Sequence, residues 1–99
     1  MNTKEIIKLI ALKTNIKSET LRLEHLLNER GLWDAALWYI KTAKIYKSAA
    51  INKAENFNRE WANIYIKAGV DCYEVSCELR KIYHGTRRQI PFVRATSTI

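Results

Sequence analysis

The groups in this chain that could transfer protons, attack a substrate or hold a metal are few and scattered. They are two histidines, His25 and His84, two cysteines, Cys72 and Cys77, and ten carboxylates. A zinc hydrolase needs two histidines four residues apart with a glutamate between them, so that one helix turn presents both imidazoles and a base to the ion. His25 and His84 are far apart, and nothing of that pattern surrounds either. There is no glycine-rich phosphate loop and no serine in a nucleophile-elbow context. Cys72 and Cys77 stand five residues apart within a helical pattern, which points them to different faces, and no histidine sits at ligand spacing from either. Cys72 falls on an apolar stripe and reads as a small hydrophobe. Glu29, Asp34, Glu55, Glu60, Asp71, Glu74 and Glu78 are spread along predicted helices, where solvated faces and helix-end electrostatics account for them. No catalytic, cofactor-binding or metal-binding constellation is expected, and the chain reads as a non-enzyme.

The elements that carry these residues follow from composition. The 99 residues are 47% hydrophobic and 27% charged, as in a globular domain, and three Gly and one Pro are too few for a turn-rich sheet protein. One all-α domain is expected. The formal net charge of +7 draws the chain toward anions, among them nucleic acids, acidic proteins and membrane surfaces, without choosing between them. No apolar run approaches the roughly 20 residues that cross a bilayer, and lysines interrupt the N-terminal stretch MNTKEIIKLIALKTNIK, which argues against a secretory signal. Two cysteines make no disulfide framework, so reduced thiols and a cytoplasmic location are expected.

Residues 3 to 13 read as a first helix capped by Thr3, interrupted at KTNIKSE, where Asn15 can end it and Ser18 can cap the next. An unbroken helix from Thr3 to Arg30 is the alternative. Leu23, Leu26 and Leu27 give the second helix its apolar side, and Gly31 ends it. A third helix runs from Leu32 to about Ala50. Asn58 then caps a fourth, in which Trp61, Tyr65, Ala68, Cys72, Val75, Leu79 and Ile82 follow at alternating steps of four and three. That stripe predicts one long helix to about Tyr83, with a break at Gly69 as the competing reading. Residues 1–85 form the expected domain, and residues 86–99 an extended or mobile basic tail.

Measured from Gly31, Trp33 lies two residues on, Ala36 five, Tyr39 eight and Ala43 twelve, the offsets of a tetratricopeptide-like hairpin. The glycine makes the turn, the aromatic fills the wedge, and the alanines let the helix axes approach. The third helix has a second apolar side in Trp38, Ile45, Tyr46 and Ala49, and the fourth has another in Ile66, Val70, Tyr73 and Cys77. Either other helices sandwich these sides or a second protein chain covers them, so a homodimer or a hetero-partner is expected. The other candidate surface is basic. Arg80, Lys81, Arg87, Arg88 and Arg94 occur between residues 80 and 94 without one acidic residue and with Tyr83, His84 and Phe92 among them, a composition that suits phosphate contact and base stacking.

LLNERGLWDAALWYIKTA, followed by NREWA, resembles the ANR family of small enterobacterial negative regulators of AraC-type activators, and is similar to PerC-type regulators. Glu29, Arg30, Gly31, Trp33, Ala35, Ala36, Trp38, Asn58 and Trp61 carry the resemblance, which covers roughly residues 20 to 72. Ile40 stands where the family's second tryptophan is usual, and Tyr65 where an arginine is common. The resemblance implies a plasmid-, phage- or island-borne modulator of transcription that contacts an AraC-type activator or a nucleoid protein. Trp38, Tyr39, Ile45, Tyr46 and Tyr73 are the expected partner-contact residues, with Trp33 and Trp61 as packing anchors. The alternatives are direct nucleic-acid binding through the basic end and a mobile-element inhibitor of a host protein.

Overall fold

The computed structural model describes residues 2–16 and 19–89, with side chains through residue 85, and over them it holds four helices and no strand. These are α1 (Thr3–Lys13), α2 (Thr20–Glu29), α3 (Leu32–Glu55) and α4 (Arg59–Gln89). The fold is all-α, as its periodicities predict. Among the described residues no helix is long and apolar enough to cross a membrane.

The helix ends have local causes. Asn2, not Thr3, caps α1, its Oδ1 accepting from the Glu5 N–H at 2.9 Å. Thr3 lies one residue inside the helix, where its hydroxyl donates instead to Asn28 Oδ1 of α2 at 2.8 Å. Thr14 turns extended and ends α1 ahead of Asn15, so α1 and α2 are separate helices. Ser18, the expected cap of α2, lies outside the described residues, and Glu19 occupies the cap position without a side-chain bond. Gly31 takes φ +91 and its N–H reaches the Leu26 and Leu27 carbonyls, closing α2 and opening α3.

α3 extends five residues beyond the expected end, to Glu55, and closes in a Schellman motif: the Asn58 N–H donates to the Lys53 carbonyl at 2.8 Å and the Phe57 N–H to the Ala54 carbonyl at 3.0 Å. The left-handed position of that motif falls on Phe57, at φ 60. Asn58 then caps α4, its Oδ1 accepting from the Trp61 N–H at 3.3 Å.

The main packing joins α3 to α4, antiparallel along most of their length, rather than α2 to α3 as the Gly31 offsets imply. The reason is a seam of small residues. Ala36, Ala43 and Ala50 recur every seven residues on α3, and Ala62, Gly69 and Ser76 do so on α4; all six are buried. Antiparallel register sets Ala43 against Gly69, and a Cβ built on Gly69 would stand 3.4 Å from the Ala43 carbonyl oxygen and 3.3 Å from Tyr46 Cβ. Heptad spacing of small side chains favours nearly parallel axes toward the lower end of the roughly 8–10 Å range. Gly69 therefore marks close approach, and α4 runs through it unbroken. The Ser76 hydroxyl, fully buried in the seam, donates to the Tyr73 carbonyl at 2.7 Å.

α1 and α2 cover one side of one end of this hairpin. Ile6, Ile10, Leu23, Leu26 and Leu27 close over Ala35, Tyr39, Cys72, Val75 and Leu79 to form the core, and Ile16 seals the α1–α2 connection. Lys13 of α1 approaches Glu78 of α4 at 3.8 Å. The cover stops short of the 56–58 turn, so Trp61, on the same stripe as Val75, is 49% exposed whereas Val75 is 2%. The molecule is long for its size, 57 × 31 × 22 Å.

α4 passes the expected end at His84 and Gly85 and remains helical to Gln89. Tyr83 lies against Trp33 at the start of α3, ring centroids 4.8 Å apart, which ties the last turns to the hairpin. The first four residues of the expected extended tail are thus helix, and residues 90–99 lie outside the described residues.

Candidate functional site

The α3–α4 face away from α1 and α2 carries an open groove of about 490 Å³. Its form follows from the seam. Small residues pull the two backbones together, so the longer side chains on either flank stand up as walls around a shallow floor. Ala43, Ala50 and Gly69 are the buried floor. Ile40 and Ile51 rise from α3, and Ile66, Val70 and Tyr73 from α4. Ile51, Ile66, Val70 and Tyr73 are each about half exposed, a contiguous apolar surface without a cover among the described residues.

The groove is edged with positive charge. Lys44 and Lys47 line it, and among the described residues no carboxylate does. They belong to a longer run: the twenty residues from Ala35 to Ala54 hold Lys41, Lys44, Lys47 and Lys53 and no acidic residue. Among the described residues neither Lys44 nor Lys47 forms an ion pair, whereas Glu78 engages both Lys13 and Lys81 elsewhere.

Of the expected contact residues, Tyr73 alone lines this groove. Tyr39 is fully buried under α1 and α2, and the contact role expected for it is corrected to a core role, because its ring points into the space those helices close. Trp38 is half-buried: the Arg22 guanidinium of α2 sits 5.1 Å from its ring centroid and the Tyr39 ring meets it edge-on at 5.0 Å. Tyr46 is half-buried and stacks on Tyr65, centroids 6.0 Å apart. Ile45 is 68% exposed but stands outside the groove. Trp33 and Trp61 do pack, on Tyr83 and Tyr65 respectively, while staying partly open to solvent.

Arg80 and Lys81 are exposed at the far end of α4, where with Cys77 and His84 they border a separate shallow depression. Lys81 bonds Glu78 at 3.1 Å. Positions 80, 84 and 87, and likewise 81, 84 and 88, share a helix face by spacing. The side chains of Arg87 and Arg88, and all of Arg94, lie outside the described residues.

Burial holds the titratable core groups in their neutral forms near neutrality. Burial, with Glu19 and Asp71 adding to it, pushes the Cys72 thiol up to about 11, so little thiolate forms near neutrality. Burial also raises the Tyr39 phenol well above its usual range. Both thiols are free. Among the described residues no three metal-ligating side chains converge.

Comparison of the chain with protein-family models, curated proteins and solved structures found no match.

Proposed function

We propose that this chain is a small non-enzymatic regulator that works by protein contact in the cytoplasm, with the α3–α4 groove as its contact surface. The observation that carries the reading is the groove itself: Ile51, Ile66, Val70 and Tyr73 expose an apolar surface along the paired helices that no other described residue covers. Apolar surface of that kind is retained where a partner buries it. The motif around Gly31 adds the class of partner, an AraC-type activator or a nucleoid protein, and with it modulation of transcription.

The test is a reporter driven by an AraC-type activator, read together with co-purification of the activator and of a nucleoid protein. The full chain is expected to change the reporter and retain one of the two. Val70→Asp and Tyr73→Glu lose both effects while remaining folded, and Ser48→Asp, on the exposed side of α3, keeps them. Groove variants that behave as the unaltered chain end this reading.

Direct nucleic-acid binding is the second reading, favoured by the continuation of α4 to Gln89, which places four basic positions, 80, 81, 87 and 88, on one helix. Such binding falls steeply with salt through counterion release. DNA or RNA affinity that survives both removal of residues 86–99 and neutralisation of Arg80 and Lys81 counts against it.

A further inference from the structure

We infer that the groove receives a single amphipathic helix edged with acidic residues, supplied by a partner. The inference rests on the protein-contact reading and names the chemistry of what fits. A floor of Ala43, Ala50 and Gly69 between two helical walls has the form that receives the ridge of a third helix, which recognition of this kind reads through apolar side chains one turn apart. From Ile40 to Ala54 the α3 wall spans about 14 residues, or roughly 21 Å, enough for about four turns of ligand helix.

Charge selects among the occupants. Lys44 and Lys47 reach into the groove without ion-pair partners among the described residues, in a helix stretch that carries no acid. Glutamates flanking an apolar ridge supply the missing partners along the groove's exposed edge, where charge sets orientation and choice of partner more than affinity. A second copy fits less well. Each copy carries a formal net charge of +7, and the apolar strip on its own α4 is bordered by Lys67, Arg80 and Lys81 as well as Glu74. An anionic lipid surface meets the charge but, being flat, cannot fill a trough.

The experiment uses the full chain and two synthetic 16-residue helical peptides with the same leucine face, one with glutamate and one with lysine at every other polar position. Fluorescence anisotropy is read at low and moderate salt. The glutamate peptide is expected to bind at least about tenfold tighter than the lysine peptide. Lys44→Glu with Lys47→Glu reverses that order, and Val70→Asp abolishes binding of both, circular dichroism showing each variant folded. Equal binding of the two peptides, an order unchanged by the double variant, or no binding of the glutamate peptide at about 1 mM overturns the inference. So does sedimentation showing a dimer that Val70→Asp dissociates, which makes a second copy the occupant, or competition by phosphatidylserine vesicles that bind the Val70→Asp variant equally well. If Val70→Asp loses the cellular partner while peptide charge makes no difference, the acidic-helix inference fails and the protein-contact reading stands.

Discussion

Gly69 of α4 lies so close to Tyr46 of α3 that a methyl group placed on it would sit 3.3 Å from the Tyr46 Cβ, and 3.4 Å from the Ala43 carbonyl oxygen. The contact is side chain and backbone against backbone, at the middle of the seam. Here the helix carries a residue that costs about 1 kcal/mol of helix propensity, at a point where even a methyl group would meet Tyr46 Cβ in a tight contact.

A branched side chain at this point tests the seam. Gly69→Val is expected to lower unfolding stability by about 1–3 kcal/mol, in line with overpacking of a close-packed interior. Urea denaturation measures it, and an unchanged midpoint shows that the helices do not meet here as described.

The opposite sign is expected at Phe57. Its φ of 60 places an aromatic residue in the left-handed slot of the α3 Schellman motif, while its side chain is 94% exposed and packs on little. Phe57→Gly removes the strain and loses little burial, so stability rises by roughly 1 kcal/mol. A lowered melting temperature contradicts the assignment of that turn.

Val70 and Val75, five residues apart on α4, separate the two faces of the helix. Val75 is 2% exposed in the core, and Val75→Asp buries an unpaired charge, costing more than about 3 kcal/mol and unfolding much of the chain. Val70 is 49% exposed on the groove, and Val70→Asp leaves the circular dichroism spectrum and midpoint within about 0.5 kcal/mol of the original. Comparable losses at both positions would mean that the groove is part of the core.

Alkaline conditions weaken the fold through Cys72 and Tyr39. Burial raises the Cys72 thiol from its ordinary 9.0 to about 11, so between these values the unfolded chain releases a proton that the folded chain keeps. Stability is therefore unaffected by this group below about pH 9 and falls above it, by up to about 1.4 kcal/mol per pH unit. Tyr39, also raised chiefly by burial, adds a second loss above about pH 10. Denaturation midpoints between about pH 8 and pH 11 should slope less steeply in Cys72→Ala with Tyr39→Phe than in the unaltered chain. Equal slopes would remove both groups from the account.

Much of the architecture is legible in residue spacing. The four-and-three steps through Cys72, Val75 and Leu79 mark a core stripe, and Ile66, Val70 and Tyr73 stand out as a second strip on the same helix. The wall facing that strip on α3 is harder to read. Trp38 and Tyr46 attract attention by size, yet large rings settle beside the seam, where Arg22 and Tyr65 cover much of them. Ile40 and Ile51 form the wall instead. Which side of α3 stays open depends on where α1 and α2 come to rest, and no local pattern encodes that. The signal that does exist is the pair of seven-residue series, Ala36, Ala43, Ala50 and Ala62, Gly69, Ser76, read in opposite directions. Tyr39 shows the same limit: its position in an amphipathic stretch is compatible with contact or core, and only the placement of α1 and α2 decides.

Because the groove floor between the two long helices is built of groups no larger than a methyl, the half-exposed residues that rise beside it at positions 51, 66, 70 and 73 add little to the core. Exchanges at these positions are therefore expected to change the outward surface and leave the frame intact. A hairpin built this way can have that surface rewritten a few side chains at a time, without first being rebuilt.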